Sequence, residues 1–420
     1  MRRETKPRIL EDRLLLDLAR EHGTPLFVYD AATIRARIEE LRGFDVIRYA
    51  QKANSNLALL SSMRAAGVRV DSVSAGEIAR ALRAGYAPSE IAFSTDLLDR
   101  AAIAMLREHP VTVNVGSPDM LEQLARLGTA GSRREIVLRV NPGFGHGHDR
   151  RVSTGGETSK HGIWHEDLGE VAVRAAALGF SVVGLHVHIG SGSDLEHLTR
   201  ACGSMRTHAR VVAGSLRSIS AGGGIPVPYR SGEPRIDLVR LTNAWRETKA
   251  AIEKDVGRSI TLEVEPGRYL VAEAGVLLAE VRATKRSGSY DYVLADAGFH
   301  NLVRPAMYGA WHEISVVGKP ADAPTSPRVL GGPLCESSDV FTQDRQGNLD
   351  PRPLPDVTEG DIVCIHDAGA YAASMASNYN SQPFAAEVLV DGARARLVRR
   401  RQPIEDLYRL EEDEHVEGSA

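Results

Sequence analysis

The chain has 420 residues, of which 43% are hydrophobic and 25% are charged, a composition typical of a globular protein with a large buried core. A formal net charge of −4 excludes the basic footprint of a nucleic-acid-binding protein, and three cysteines without a Cys-x-x-Cys pair argue against disulfides and structural zinc. Because neither a signal peptide nor a run of about 18 apolar residues is present, we expect a cytoplasmic protein of roughly two to three domains without membrane spans.

The first part of the chain predicts a helix over Leu10–Ala19 and a short strand over Pro25–Tyr29. Asp30 can cap the helix that follows, Ala31–Leu41. These elements precede a long stretch in which strands and helices alternate.

From Phe44 onward, helical patterns with local start and stop signals separate strand-like runs. Ser74–Glu77 is a capping box, and Pro118 at the first helical position opens a helix that is expected to end at Gly128. Eight strands are predicted in this stretch: Asp45–Ala50, Val68–Val73, Ile91–Ser94, Val111–Val115, Ile136–Val140, Val182–His188, Arg217–Ala221 and Thr261–Glu265. Eight βα units over about 230 residues favour a closed barrel, with an open doubly wound sheet as the alternative.

The pattern changes after Ala274, where valine-rich and alternating runs follow one another without long helices between them. Asp391-Gly392 between two alternating runs predicts a hairpin. We therefore expect an α/β fold: a (β/α)₈ TIM-like barrel over residues 31–275, and a mostly β C-terminal domain, a β-barrel or sandwich, from residues 1–30 and 276–420. The acidic end, Glu411–Ala420, is expected to be a frayed tail.

Polar residues and glycines cluster where the barrel strands end. They are Lys52, Asp71, Ser94, Asn114, Asn141, His188, Gly222–Gly224 and Glu265. Because chemistry in such a barrel takes place at the carboxyl ends of the strands, the set predicts one site there, although a solvated loop face would explain any single member.

The residues after the seventh and eighth strands predict a phosphate site. Gly222–Gly224 lets backbone N–H groups approach an anion, Arg268 supplies a positive charge, and Gly190–Gly192 could add a further donor loop. A phosphate site, Lys52 and a carboxylate at Glu265 together predict pyridoxal 5'-phosphate.

In that hypothesis, Lys52 holds the cofactor as a Schiff base and Glu265 keeps the pyridine nitrogen protonated, which favours loss of carbon dioxide from Cα. His188 would stack on the pyridine ring, although a buried core histidine is an equally common reading. His146 and His148 have the spacing of metal ligands, but they have no acidic or cysteine partner nearby in the sequence, and we expect a lid loop without a metal.

Motifs along nearly the whole chain carry a resemblance. They include Arg48–Asn56, Val70–Ser74, His186–Gly192, Ser220–Gly224, Glu265–Arg268, Asp296–Gly298, Arg304–Tyr308, Gly332–Glu336, Gly369–Tyr371 and Asn378–Asn380. In these motifs the sequence resembles the diaminopimelate decarboxylases, a family of the alanine-racemase-like fold type of pyridoxal-phosphate enzymes. The loop Asn141–His148, followed by Ser159–Gly162, resembles this family more than its ornithine or arginine relatives.

The resemblance implies decarboxylation of meso-2,6-diaminopimelate to L-lysine and carbon dioxide, the last step of lysine biosynthesis, by a homodimer with shared active sites. It implies catalytic roles for Lys52, His188 and Cys335, with Cys335 as the proton donor to Cα. The cofactor set is Lys52, Asp71, His188, Ser191, Gly223, Gly224, Glu265, Pro266, Gly267, Arg268 and Tyr371. The substrate set is Arg268, Arg304, Tyr308, Glu336 and Tyr371, with Cys335 and Glu336 reaching the partner subunit's site.

Two positions depart from the family pattern. Phe93-Ser-Thr-Asp96 replaces a turn rich in glycine and asparagine, and Gln51 precedes the lysine where small aliphatic residues are commoner. Cys202 and Cys364 are expected to be small buried side chains. The alternatives are decarboxylation of another amino acid such as ornithine or arginine, a racemase, which would place an arginine at the pyridine nitrogen, and a non-catalytic cofactor-carrying barrel, which would lack a second domain.

Overall fold

The computed structural model describes residues 9–127, 135–147, 151, 153–320 and 322–412, and all structural statements concern these residues. Three expectations fall outside them: the helix end at Gly128, His148, and residues 413–420 of the acidic tail. The chain divides into two compact units. The first comprises residues 31–228 and 232–272, and the second comprises the chain up to Asp30, residues 229–231 and the chain from Glu273 onward. The second unit begins with α1 (Asp12–His22) and β1 (Leu26–Asp30).

In the described part of the first unit, eight parallel strands form a closed barrel. They are β2 (Val46–Ala50), β3 (Arg69–Ser72), β4 (Ile91–Thr95), β5 (Thr112–Val115), β6 (Glu135–Asn141), β8 (Ser181–Val187), β9 (Ser218–Ser220) and β10 (Thr261–Val264), while β7 (Ile163–Trp164) pairs alongside β6. The spatial order is β2-β3-β4-β5-β6-β8-β9-β10. Because β10 also pairs with β2, with Val264 opposite Ile47, the sheet has no open edge within the barrel.

Helices connect these strands: α2 (Ala31–Glu39), α3 (Leu57–Ala65), α4 (Ala75–Arg83), α5 (Arg100–Glu108), α6 (Asp119–Arg126), α7 (Leu168–Ala177), α8 (Leu195–Ala209), α9 (Leu238–Val256) and the short α10 (Arg268–Val271). Side chains at five starts accept a backbone N–H of the first turn, namely Asn56, Ser74, Asp99, Asp194 and Asp237. Replacing such a cap by alanine typically costs about 1 kcal/mol, so these residues define where the helices begin. No helix in the described ranges is both long and apolar enough to cross a membrane.

The barrel expectation is confirmed, because each of the eight predicted strands overlaps an observed one and no boundary differs by more than one residue. Two helix starts differ in detail. Pro118 occupies the N-cap position, and α6 begins at Asp119. In the capping box, Ser74 accepts the Glu77 N–H at 3.2 Å, but the Glu77 carboxylate accepts the N–H of Val73, at 2.8 Å.

The second unit is built on a nine-stranded mixed sheet in the described residues. Besides β1, its strands are β11 (Gly275–Ser287), β12 (Tyr290–Ala295), β13 (Ile314–Val316), β14 (Thr325–Gly331), β15 (Arg352–Pro355), β16 (Ile362–Ile365), β17 (Ala386–Asp391) and β18 (Arg394–Arg399). The N-terminal strand β1 lies between β11, which is antiparallel to it, and β17, which is parallel. The predicted hairpin is confirmed, since β17 and β18 pair around Gly392, whose φ is 59°.

Helix α1 covers one part of this sheet with its apolar residues. Leu15 and Leu18 are at most 3% exposed and pack against Val28, Leu278 and Val388 of three neighbouring strands. A fully buried leucine contributes about 1.5–3 kcal/mol to folding, so this helix is an integral part of the unit.

Candidate active site

The turn after β2 brings one lysine to the carboxyl ends of the barrel strands. Residues 51–53 form a short 3-10 turn in which Gln51 is fully buried and Lys52 is exposed. The hydroxyl of Tyr49 donates to the Asn54 carbonyl oxygen at 2.9 Å, across the turn. The amine of Lys52 therefore extends from a fixed backbone, as an anchor for a covalently bound group should.

Gln51, the second of the two departures from the family pattern, has a structural explanation. Its amide nitrogen donates to Ser72 Oγ at 2.7 Å and to the Glu77 carbonyl oxygen at 3.0 Å. The glutamine thereby fastens the Lys52 turn to the end of β3, which a small aliphatic residue could not do.

Asp96, the last residue of the first departure, forms hydrogen bonds that connect its own loop to a second loop. Its carboxylate accepts the Gly162 N–H at 2.9 Å and pairs with Nδ1 of His161. Burial acts to raise the pKa of Asp96, but these two contacts outweigh it and lower that pKa. Asp96 therefore joins the two loops through a carboxylate that stays ionised.

The segment after β10 packs beside the Lys52 turn. The Ala50 N–H donates to the Pro266 carbonyl oxygen at 3.0 Å. A Cβ atom on Gly267 would lie 3.1 Å from the Ala50 carbonyl oxygen, so the approach is closest with glycine there. Glu265 is consequently held at the same strand ends as Lys52.

Glu265 is a buried, ionised carboxylate, only 7% exposed. His186 Nε2 lies 2.7 Å from one of its oxygens, and the Ser220 hydroxyl donates to the other at 2.8 Å. Burial alone would raise the pKa of Glu265. The pKa is nevertheless lowered to about 2, by the charge and hydrogen bond of His186, the hydrogen bond from Ser220 and the charge of Arg48. A fixed negative charge at this position suits a partner that carries a proton on a ring nitrogen.

Asp71 lies at the head of a hydrogen-bonded chain across three strands. Ser94 donates to it at 2.6 Å, and Asn114 donates to Ser94 Oγ at 2.7 Å. Burial and the nearby charge of Glu265 raise the pKa of Asp71 well above its ordinary value. The two acidic residues therefore differ in character, with the negative charge concentrated on Glu265.

His188 follows β8 and offers a half-buried, neutral ring. The Gly223 N–H donates to its Nδ1 at 3.2 Å, which leaves the proton on Nε2. Burial, followed by the positive charge of Lys52, holds the pKa of His188 well below 6.5. Glycine is required beside it, because Gly222 has a φ of 64° and an added Cβ would lie 2.0 Å from the Val187 carbonyl oxygen.

A second loop joins the glycine turn to Arg268. The N–H groups of Gly192 and Ser193 both donate to the Gly224 carbonyl oxygen at 3.0 Å. In the same loop, Ser191 Oγ accepts from the guanidinium group of Arg268 at 3.0 Å, and Arg268 is 7% exposed. A buried guanidinium group and a hydroxyl beside a glycine turn are groups that suit a phosphate.

Two site residues were missed in the sequence. Arg139 is 8% exposed inside the barrel, where burial lowers its pKa while the charges of Asp96 and Glu265 oppose that shift. His186, which orients Glu265, was quoted in a motif but given no role. The signal was available, because Arg139 and His186 each stand two positions before an expected site residue, on the same face of a strand.

The remaining candidates lie in the second unit. Arg304, at the start of α11 (Arg304–Tyr308), is 2% exposed and donates to His312 Nε2 at 2.7 Å. His312 Nδ1 in turn donates to the His366 carbonyl oxygen at 2.8 Å, and the guanidinium carbon lies 4.6 Å from the centre of the Tyr229 ring. The histidine is therefore neutral, and it fixes the direction of a buried positive charge.

A tight loop presents Cys335 and Glu336 to solvent, and both side chains are exposed. The carboxylate of Asp339 accepts the N–H groups of Leu334 at 2.8 Å and Phe299 at 2.7 Å, and Asn380 Oδ1 accepts the Cys335 N–H at 2.8 Å. Such a loop holds the thiol and the carboxylate in place without covering them. As expected, the other two cysteines are buried.

The two tyrosines of the expected site are half-buried. Tyr308 is the last residue of α11. Tyr371 has a φ of 55°, a left-handed conformation that is uncommon outside glycine and that concentrates at functional sites.

The barrel residues fit pyridoxal phosphate. An exposed amine, an ionised carboxylate, a neutral ring and an anion-binding loop occur at the same strand ends, and Lys52 interacts electrostatically with Asp71 and His188. This fold and this set of groups define a pyridoxal-phosphate-dependent enzyme. Residues 32–272 match the family model described as "Pyridoxal-dependent decarboxylase, pyridoxal binding domain". The chain belongs to the pyridoxal-dependent decarboxylases.

Individual relatives extend the likeness over both units. The chain is 52% identical to a diaminopimelate decarboxylase of Streptomyces coelicolor, over 96% of this chain and 92% of that one. It is similar to a crystal structure of a diaminopimelate decarboxylase, with a TM-score of 0.91 and 49% identity over 95% of this chain and 96% of that one. The Helicobacter pylori diaminopimelate decarboxylase complexed with L-lysine gives a TM-score of 0.85 and 34% identity, over 94% and 98% of the two chains.

Proposed function

We propose that this protein decarboxylates meso-2,6-diaminopimelate to L-lysine, with pyridoxal phosphate bound at Lys52. The observation that carries the proposal is the exposed Lys52 amine at the same strand ends as a buried, ionised Glu265. The names of relatives that are 52% and 49% identical support the choice of substrate.

When bound, pyridoxal phosphate supplies an electron sink for the electrons that remain at Cα when carbon dioxide leaves. Glu265 holds a proton at the pyridine nitrogen, which keeps that sink strong. His188 covers one ring face with a neutral imidazole, and Arg268 with Ser191 binds phosphate. Lys52 is the residue whose amine would hold the aldehyde group of the cofactor.

Two further residues, Cys335 and Tyr371, are assigned roles at the substrate. Cys335, with an exposed thiol, donates a proton to Cα after decarboxylation, as the family resemblance implies. The same resemblance assigns Tyr371 to the binding of phosphate and substrate.

The distal end of the substrate explains the specificity. Meso-diaminopimelate carries a second carboxylate and a second ammonium group, which ornithine and lysine do not combine. A carboxylate suits the buried guanidinium group of Arg304, helped by Tyr308, while an ammonium suits the exposed carboxylate of Glu336. A substrate without the distal carboxylate would leave the buried charge of Arg304 facing an apolar chain.

Carbon dioxide release across meso-diaminopimelate, L-lysine, L-ornithine and L-arginine tests the proposal. We expect kcat/KM for meso-diaminopimelate to exceed the others by about 100-fold, since a buried charge left without its partner costs a few kcal/mol. Arg304→Met should remove most of that preference. Arg282→Met is the matched control, because Arg282 lies in the same unit but is 54% exposed and pairs with Glu280 and Glu359.

Faster release from ornithine or arginine would contradict the substrate assignment but leave the decarboxylase class intact. An unchanged preference in Arg304→Met would remove that residue from the specificity pocket.

We further propose that the enzyme is a homodimer in which Cys335 and Glu336 complete the partner subunit's site. The support is the loop itself, which fixes an exposed thiol next to an exposed carboxylate that the Tyr379 hydroxyl contacts at 3.2 Å. An outward-facing, rigid pair of reactive groups suits a second copy of the chain.

Mixing two inactive variants tests this arrangement. Cys335→Ala should bind cofactor yet lose about tenfold or more in turnover, as expected for a lost proton donor. When it is mixed with Lys52→Ala and allowed to exchange subunits, heterodimers contain one intact site, and about a quarter of wild-type activity should return for a twofold dimer. No recovery would place Cys335 in its own subunit's site. Cys202→Ala, which removes a buried thiol, should stay fully active.

A further inference from the structure

Three side chains from two segments of the barrel unit meet outside the proposed cofactor site. His146 lies in the loop after β6, Asp194 is the N-cap of α8, and His197 lies in the first turn of that helix. One ligand atom from each lies within 4.8 Å of those from the other two. The sequence argued against a metal because His146 has no acidic neighbour along the chain, but folding brings one to it.

The two distances from the carboxylate to the histidine nitrogens match those around a transition-metal ion. His197 Nδ1 lies 2.9 Å from Asp194 Oδ2, and His146 Nε2 lies 3.5 Å from the same oxygen. Metal–ligand bonds of about 2.0–2.2 Å at angles of 90–110° place neighbouring ligand atoms about 2.9–3.5 Å apart. Two imidazoles and one carboxylate are also a common protein donor set for Zn²⁺, with water completing the coordination.

The backbone already holds these groups in place. The Ser193 hydroxyl donates to the His146 carbonyl oxygen at 2.7 Å, and the His146 N–H donates to the Ile189 carbonyl oxygen at 3.0 Å. On the other side, Asp194 Oδ1 accepts the His197 N–H at 2.8 Å. His197 Nδ1 lies 2.8 Å from Oδ1 and 2.9 Å from Oδ2, so the one carboxylate faces both histidines from a fixed position at the start of α8.

The two imidazole rings stack with their centres 4.0 Å apart. An imidazole binds a metal ion through a lone pair in its ring plane, so one ring must turn about its side-chain bonds before both nitrogens face one ion. All three side chains are also partly open to solvent, with 33%, 52% and 32% of the side-chain surface of His146, Asp194 and His197 exposed. An ion can therefore enter without unfolding the loop.

We propose that His146, Asp194 and His197 form a binding site for one divalent transition-metal ion, best matched by Zn²⁺, which pins the loop after β6 to the start of α8. The connection from β8 to α8, residues 189–194, ends at the proposed ligand Asp194 and includes Ser191, which contacts Arg268. The proposal concerns ion binding and loop fastening, and it does not depend on the substrate assigned to the enzyme.

The test is Zn²⁺ titration of the untagged, cofactor-loaded protein after removal of metals with a chelator, followed by calorimetry. One equivalent of Zn²⁺ should bind, and Asp194→Asn should weaken that binding about tenfold or more, as expected for a lost ligand. Asparagine is as good an N-cap as aspartate, so this variant keeps α8 intact while removing the charged ligand. His146→Ala and His197→Ala should weaken binding equally.

His109→Ala is the matched control, because His109 is also a partly exposed histidine beside a carboxylate, Glu108, but belongs to no such group among the residues that the structure describes. It should bind Zn²⁺ as the wild type does. Hydrogen exchange should also slow at the amides of residues 143–147 when Zn²⁺ is added, in the wild type but not in Asp194→Asn. Absence of a one-equivalent site, or a site that survives Asp194→Asn because Cys335 holds the ion, would overturn the proposal.

Discussion

Lys52→Ala is expected to lower the turnover number by about four orders of magnitude, because it removes the amine that anchors the cofactor covalently. The turn that carries Lys52 is fastened by the Gln51 amide and by the Tyr49 hydroxyl, neither of which involves the lysine side chain. The variant should therefore fold normally. Lys52→Arg should lose as much activity, since a guanidinium group keeps the charge but cannot form the covalent link.

Borohydride reduction followed by tryptic mapping identifies the anchor directly. In the wild type, the mass of the reduced cofactor should appear on the peptide Tyr49–Arg64, because trypsin does not cleave at a modified Lys52. Lys249→Ala is the control, since Lys249 is a partly buried lysine of the same unit that donates to Asp45 at 2.7 Å. Its turnover should match that of the wild type. Label on Lys160 or any other lysine would refute the assignment of Lys52.

The barrel could be predicted from sequence because local signals agreed with the global fold. Apolar strand runs alternated with helices that began at side-chain caps, and the predicted strand bounds lie within one residue of the observed ones. Polar residues such as Asn114, which lies between Val113 and Val115, stood out at strand ends because their neighbours along the chain are apolar. The ends of parallel strands meet at one rim, so listing the strands was enough to bring the barrel candidates together.

What the sequence left undetermined depends on contacts between distant segments. His146 and Asp194 are 48 positions apart, and only loop packing makes them neighbours. Residues 229–231 belong to the second unit although the chain on both sides belongs to the barrel. The amino-acid composition of this stretch does not indicate the change of unit. The ionisation of Glu265 also depends on distant segments. His186 and Ser220, on other strands, hydrogen-bond to its carboxylate, and the residues next to it in the chain do not indicate these contacts.

Glu265→Gln is expected to lower kcat by about 10²–10³-fold, the usual cost of removing one preoriented electrostatic partner of the reacting system. Glutamine keeps the shape of the side chain and can still accept from Ser220, but it carries no charge to hold a proton at the pyridine nitrogen. The cofactor should remain bound, because Lys52, Arg268 and Ser191 are untouched. Cofactor absorbance and carbon dioxide release, measured on the same sample, separate binding from turnover.

Glu263→Gln is the matched control for this change. Glu263 lies on β10, two residues before Glu265, and pairs with Arg48 at 3.0 Å. Loss of this ion pair should lower stability while leaving kcat within about twofold, since Glu263 touches no reacting group. Acid unfolding gives a second readout. The pKa of Glu265 is about 2, below its ordinary 4.5, so its charge stabilises the fold above pH 4.5, and that contribution is lost as the pH falls through about 2. Glu265→Gln should therefore show a shallower loss of stability between pH 4.5 and 2 than the wild type. Equal kcat in Glu265→Gln and Glu263→Gln would show that the charge of Glu265 has no part in the reaction.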